Sequence, residues 1–382
     1  MAFENITLMQ RGVSDTLQRN IRDSLLPQSL LFSGARGSGR LTAALDLAFF
    51  LTGDRRDVLR SQDVIYFPMR NLMPRVKAAV SLYREQRTDS ARLFLIETLR
   101  CVNMQYNGAL STSLPSSVSP LFSKAQSVDE FLCSIEDTHQ VSDADIKALD
   151  SLKVTSDEKY LYCGKKSPTA VSIEQLRGVK EWMSSGFDEK VVIIEDIESA
   201  TEGAKNSILK MLEEPEEHFT IILISSQSQR IMETILSRVR RFSFPSLSAE
   251  KISSLLKERF SVWEDYTSFD TFYFRHANDS ASVEECEKAV MDFLSLIVSS
   301  SSFDPGEEEK LNSLLERLSA YQYFRSRVTE EAENMMRKGT LSPYRAKKIL
   351  NILRCWSDSV ETYNMSERAA LDYIVRESEL VK

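Results

Sequence analysis

Three short stretches of the chain are almost wholly apolar. Leu30-Leu31-Phe32, Val191-Val192-Ile193-Ile194 and Phe219-Thr220-Ile221-Ile222-Leu223-Ile224 lack the in-out alternation of a half-solvated strand. Runs of this length suit strands buried on both faces. The first lies within Ser29–Ser33, which leads into a Gly-rich turn, Gly34–Gly39, and then into Leu41–Ala48, whose apolar residues have helical spacing. Val64-Ile65-Tyr66-Phe67 reads as a second strand, ended by Pro68. Ile173–Met183 is an amphipathic helix, and Ala200–Leu212 is a helix stopped at Pro215. Strands alternating with helices predict an α/β fold, a parallel sheet with helices on both faces.

Two other regions have a different grain. Met69 to about Ser167 is helical in places, as in Ala91–Met104, but holds the Ser-rich piece Ser111–Ser119. It reads as an insertion, partly helical and partly mobile. From Ala249 onward the pattern is helical throughout, interrupted by the linker signal Ser299–Gly306. Leu311, Leu314, Leu315 and Leu318 recur at helical spacing, as do Ala346, Ile349, Leu350 and Leu353. Such stripes are core-facing sides of helices, and they predict an α-helical C-terminal domain. The length of 382 residues fits two or three domains.

Composition narrows the function classes. The 42% hydrophobic content supports sizeable cores, and the net charge of −8 argues against an autonomous nucleic-acid binder. No secretory signal pattern and no apolar run of membrane-spanning length is evident. Cys101, Cys133, Cys163, Cys286 and Cys355 are far apart, which suits a reducing cytoplasm better than a disulfide framework or a zinc site.

The turn after the first strand carries the candidate chemistry. A phosphate-binding loop reads G-x-x-x-x-G-K-[ST]: backbone N–H groups cradle phosphate, the Lys reaches the terminal phosphates and the hydroxyl binds magnesium. Here the stretch is Gly34-Ala35-Arg36-Gly37-Ser38-Gly39-Arg40-Leu41. The glycines are in register, but Arg40 stands for Lys and Leu41 for the hydroxyl residue. Arg is longer and planar, and Leu offers magnesium no oxygen. A structural Gly turn and a passive anion or nucleotide cradle both remain open for this loop. After the strand Val191–Ile194 come Glu195 and Asp196, in the reverse of the Asp-then-Glu order of a working Walker B site.

Further along stand Asn206-Ser207-Ile208-Leu209-Lys210-Met211-Leu212-Glu213-Glu214-Pro215, then a strand ending in Ser225-Ser226, then Ile235-Leu236-Ser237-Arg238-Val239-Arg240-Arg241-Phe242. This ordered set resembles the clamp-loader subunits of the AAA+ class, with Val239 where their Ser-Arg-Cys motif has Cys. Leu26–Gly34 also looks like the family's approach to its phosphate loop. The resemblance covers most of residues 1–68 and 170–245 at motif level. A decayed Walker A beside an intact Ser-Arg pair is similar to the delta-prime type of the bacterial DNA polymerase III clamp loader.

The resemblance implies an AAA+ P-loop-type domain over 1–245 with its insertion at 69–167, a helical lid at 246–298 and a helical collar for oligomerisation at 299–382. It implies a non-hydrolysing subunit with no cofactor of its own, ATP and magnesium being held by neighbouring subunits. Arg238 would be an arginine finger acting in trans, with Ser237 orienting its loop. Gly34, Gly37, Gly39 and Arg40 would be a degenerate Walker A, and Glu195 and Asp196 a degenerate Walker B. The expected partners are tau/gamma-like ATPase and delta-like subunits, with the sliding clamp and primer-template DNA reached through the complex. Two departures stand out. No sensor-2 Arg is found near Ala277–Ser282, and the family's four-Cys zinc module is absent from the interval 69–167, so no zinc is expected. An ATP-hydrolysing motor subunit and an interaction scaffold on a decayed ATPase fold are the competing expectations.

Overall fold

The computed structural model describes residues 3–53, 58–68, 71–111, 114–136, 141–165, 171–184, 188–299, 304–363 and 365–380. Its contacts divide the chain into two compact units, 1–269 and 270–382.

The first unit is built on five parallel strands: β1 (Ser29–Gly34), β2 (Val64–Phe67), β3 (Lys190–Ile194), β4 (Phe219–Ser225) and β5 (Arg240–Phe244). Their order across the sheet is β2-β3-β4-β1-β5. The continuous apolar runs have the expected cause, since β1 to β4 are covered on both faces. Alternate residues point opposite ways. Leu31, Val192, Ile194, Ile221 and Leu223 enter one apolar cluster, while Leu30, Phe32, Val191, Ile193, Ile222 and Ile224 enter the other.

Helices α1 (Glu4–Met9), α2 (Arg11–Arg22) and α3 (Arg40–Thr52) cover the second of these faces. Between β2 and β3 lie α4 (Met73–Gln86), α5 (Asp89–Asn103), α6 (Ser119–Glu136), α7 (Asp143–Ser151), α8 (Glu158–Leu161) and α9 (Ile173–Met183). The described part of the 69–167 segment is thus mainly helical, with more helix than its sequence suggested. The Ser-rich piece contributes a short turn at Ser116–Val118 and the start of α6, whereas residues 112–113 lie outside the described residues. Helix α10 (Glu202–Glu213) is capped by the Thr201 side chain and packs with α9 on the first face. The short α11 (Glu233–Leu236) precedes β5, and α12 (Ala249–Phe260) follows it.

The second unit is helical: α13 (Phe269–Ala277), α14 (Ser280–Ser299), α15 (Pro305–Leu318), α16 (Tyr321–Arg337), α17 (Pro343–Tyr363) and α18 (Glu367–Leu380). The predicted stripes line its core, with Leu314, Leu315, Leu318, Ala346, Ile349 and Leu353 packed around Phe324 and Trp356. The linker predicted at 299–306 falls largely on residues 300–303, outside the described residues.

Candidate functional site

The Gly-rich turn joins β1 to α3 at the carboxyl end of the sheet. Gly34 is required by close approach: a Cβ there would stand 2.2 Å from the Phe244 carbonyl oxygen on β5. Gly37 and Gly39 adopt φ of 74° and 92°, a left-handed region that side chains other than Gly rarely enter. Gly39 precedes α3, whose first bond runs from Ala43 N–H to the Gly39 carbonyl at 2.9 Å.

Ala35, Arg36 and Gly37 are exposed, whereas Ser38, Gly39 and Arg40 are covered by the chain's own residues. A Cβ on Gly39 would meet Ile6 Cδ1 at 3.2 Å and Met9 Sδ at 3.3 Å, both from α1. The Gln10 amide donates to the Ser38 carbonyl at 3.2 Å and to the Pro245 carbonyl at 2.6 Å. A Cβ on Gly37 would meet the Phe269 ring at 3.2 Å. Arg40, at the Walker Lys position, is buried in the first turn of α3. Leu41, at the hydroxyl position, packs against the apolar cluster beneath α1 and α3.

The two acids after β3 are both buried and both engaged. The Tyr66 hydroxyl donates to Glu195 Oε2 at 2.5 Å, tying Glu195 to β2. Asp196, held at a φ of 47°, lies 3.5 Å from the guanidinium of Arg36 in the Gly-rich loop. A neighbour missed in the sequence completes this end. Glu198 accepts from Ser226 N–H at 2.9 Å, Ser226 Oγ at 3.1 Å and Gln227 N–H at 3.0 Å, clamping the turn after β3 to the turn after β4. The donor set does not fit a magnesium–nucleotide: position 41 offers no oxygen, and the second acid faces an arginine of the loop itself.

Arg238 lies at the opposite end. Parallel register pairs Leu30 with Arg240 and Gly34 with Phe244. β5 therefore begins level with Leu30, four residues or about 13 Å before Gly34 along the strand direction, and Arg238 lies in the turn that precedes it. The Arg240 guanidinium, donating to the Leu25 carbonyl at 3.2 Å, marks the same level. The Arg238 guanidinium lies 2.9 Å from Glu213 Oε1 and donates to the Thr234 carbonyl at 2.9 Å and to Ser237 Oγ at 3.2 Å. Ser237 Oγ in turn donates to the Thr234 carbonyl at 3.0 Å. Glu213 ends α10, where the helix dipole disfavours an anion, so a facing cation is stabilising. The Arg238 side chain keeps 37% exposure. Thus the loop residues Gly34, Gly37, Gly39 and Arg40 gather with Glu195 and Asp196 at one end of the sheet, and Ser237 and Arg238 stand at the other.

Of the three cysteines between β2 and β3, Cys101 and Cys163 are buried and Cys133 is half-buried. Burial pushes the Cys163 thiol up to about 11. Among the described residues no group of three or more His, Cys, Asp or Glu is arranged to hold a metal ion, and no helix is long and apolar enough to cross a membrane.

Comparison with known proteins adds an independent line. Residues 122–248 match the family described as DNA polymerase III, delta subunit. The tau subunit of Bacillus subtilis DNA polymerase III is 36% identical over 80 residues, covering 21% of this chain and 14% of that protein. The delta' subunit of the same organism is 35% identical over 97 residues, covering 24% of this chain and 30% of that protein. The chain therefore spans less than a third of the length of either relative. A gamma-subunit-related protein of Thermotoga maritima DNA polymerase III, of known structure, is 16% identical with a TM-score of 0.40 over 96% of this chain and 98% of that one. The family match includes Glu195, Asp196, Glu213 and Arg238 but begins after the Gly-rich loop and does not include it. Through residues 122–248 the chain is similar to the family described as DNA polymerase III, delta subunit, and over shorter stretches to delta' and tau subunits of that polymerase.

Proposed function

We propose that the chain is a delta-prime-like subunit of a clamp loader. It hydrolyses no ATP itself and presents Arg238 to the ATP site of a neighbouring tau/gamma-like subunit. The assembly would load a sliding clamp on primed DNA in the cytoplasm, with a delta-like subunit as a further partner and the DNA reached through the complex.

The separation of Arg238 from the chain's own Gly-rich loop carries this reading. Arg238 precedes the amino end of β5, whereas the loop follows the carboxyl end of β1, so its guanidinium is placed away from a phosphate in that loop and stands half-exposed, where another subunit can meet it. In phosphoryl transfer the catalytic demand is for fixed positive charge on the transferring group, which a planar guanidinium supplies. In the free chain Glu213 holds that charge, so docking would exchange Glu213 for phosphate oxygens. Such an exchange is inexpensive, because a half-exposed pair contributes only about 0–1 kcal/mol. Leu41 in the apolar cluster and Arg36 on Asp196 support the lack of hydrolysis.

The tau relative, matched at 36% identity, favours a second reading in which the chain is itself a motor subunit. The test takes the chain alone and in a reconstituted assembly with tau/gamma-like and delta-like subunits. The proposal expects no magnesium-dependent turnover by the isolated chain and a marked loss of assembly turnover with Arg238→Ala. Turnover by the isolated chain would support the motor reading. Full assembly activity with Arg238→Ala would refute the role in trans.

A further inference from the structure

The charge of the chain is unevenly distributed. Against a total of −8, the stretch from Asn334 to Ser357 holds six basic residues, Arg337, Lys338, Arg345, Lys347, Lys348 and Arg354, and no Asp or Glu. It runs from the last turn of α16 through the first half of α17.

The fold sorts three of these residues, Lys347, Lys348 and Arg354, onto one face of α17. Ala346, Ile349, Ile352, Leu353 and Trp356 are buried, which fixes the inward face of α17. Tyr344, Lys347, Lys348, Asn351 and Arg354 follow the i, i+3, i+4, i+7, i+10 spacing of the outward face. Tyr344, Lys347 and Arg354 are exposed, and Tyr344 retains 80% of its surface. The row from Tyr344 to Arg354 is about 15 Å long. Arg337 and Lys338, also exposed, end α16 just before it, although Arg337 has Glu333 at 3.8 Å. The start of α17 is held by the Ser342 side chain, which accepts from Arg345 N–H at 3.3 Å. The amino end of this helix adds its own partial positive charge to the row.

We infer that this face of α17 binds single-stranded nucleic acid, its cations tracking the phosphates and Tyr344 stacking on a base. The stretch has one sign of charge, and three of its six cations are Lys. Lys is depleted from protein–protein interfaces but is a regular phosphate contact. A charged face serving only solubility has no use for an aromatic ring in water. A ring beside a cationic track is the usual construction for unpaired bases. The inference does not rest on the role assigned to Arg238, which belongs to the other unit of the chain.

The test is fluorescence anisotropy of the full chain with a labelled oligo(dT), from 50 to 200 mM salt. Expected is binding whose log–log salt slope is about −2 to −3, the value for three or four neutralised phosphates of a single strand. The triple variant K347E/K348E/R354E should weaken it at least tenfold. A control triple on α2, R11E/R19E/R22E, changes net charge by the same amount and should leave most of the binding. Tyr344→Ala should weaken it about fivefold with an unaltered salt slope. Circular dichroism melting of each variant separates loss of binding from loss of folding. No binding at 50 mM salt, or equal loss in the control triple, overturns the site. A Tyr344→Ala variant that binds like the parent overturns the single-strand assignment. Saturation by poly-glutamate with no binding of oligo(dT) would make the face a dock for acidic protein instead, and would also overturn it.

Discussion

The two ends of the sheet in the first unit hold the same kinds of residue in opposite circumstances. At the carboxyl end, Arg36 faces the buried Asp196, Glu195 takes the Tyr66 hydroxyl, Arg40 is buried and Leu41 packs against the apolar cluster. At the amino end, Arg238 faces Glu213 with both side chains more than a third exposed. A buried acid with fixed hydrogen-bond donors costs several kcal/mol to strip of its partners, whereas an exposed pair exchanges partners for about 0–1 kcal/mol. The two arginines are similarly exposed, so it is the burial of the carboxylate, 8% exposed at Asp196 against 48% at Glu213, that separates the two pairs. On the proposed function the carboxyl end is the committed one and the amino end the redirectable one.

The largest expected effect tests the redirectable end. In a reconstituted assembly whose other ATP sites are silenced, Arg238→Ala should lower single-site turnover by about 10³-fold. The thermal unfolding midpoint of the isolated chain should stay unchanged, since the lost contacts are half-exposed. A shift in midpoint comparable to that of a core mutation would mean the amino end is structural as well, and the contrast would collapse.

At the committed end the expected cost is to folding. Gly34→Ala places a methyl group 2.2 Å from the Phe244 carbonyl oxygen, a backbone atom that cannot swing away. β1 and β5 would have to part, at a cost of about 3 kcal/mol. Urea unfolding followed by circular dichroism measures this. A cost below about 0.5 kcal/mol would show that the loop has room, and would weaken the view that its glycines serve packing.

These two ends were not equally legible in the sequence. The apolar runs of β1, β3 and β4 and the glycine spacing of the loop are local signals, and the structure places strands and turn where they pointed. β5 was missed because it is an edge strand. Only Phe242 and Phe244 are buried, and Arg240, Arg241 and Ser243 face solvent, so no apolar run forms. The helices α1 and α2 were missed for a related reason, their apolar residues being sparse among polar ones. The pairings that separate the two ends, Arg36 with Asp196 and Arg238 with Glu213, join segments far apart in the chain. No periodicity reports such contacts. Glu198 had a fainter signal, an acid shortly after a buried strand, but its three donors lie beyond β3 on another strand's turn.

A moderate effect refines the picture of the amino end. Glu213→Gln keeps the shape of the carboxylate and removes its charge, so Arg238 is released from the free chain's ion pair. Assembly turnover should rise by about two- to fivefold if release of Arg238 limits docking, given the small worth of such a pair. An equal fall would mean that Glu213 orients the guanidinium rather than competing for it. Measuring KM for ATP alongside kcat separates the two, since competition alters docking of Arg238 on phosphate and orientation alters the rate once docked.

The smallest effect concerns Asp46, which ties α1 to the helix that follows the loop. Its carboxylate accepts Ile6 N–H at 2.8 Å and the Asn5 amide at 3.1 Å. Burial raises its pKa above the ordinary aspartate value, and the bonds from Ile6 and Asn5, with the nearby Arg259, offset this only in part. A raised folded pKa means the folded state binds the proton more tightly than the unfolded state does. The contribution of Asp46 to stability is therefore full below the ordinary aspartate range and is lost as pH rises through the folded pKa. Asp46→Asn removes that titration while keeping an oxygen for Ile6 N–H. Its stability relative to the parent should then improve from pH 3.5 to pH 6, a window set by the direction of the shift. Urea midpoints at the two pH values measure this. A relative stability that worsens over the same interval would mean that the hydrogen bonds favour the carboxylate more than burial opposes it. The packing of α1 on the loop would then depend on a charged anchor rather than a neutral one.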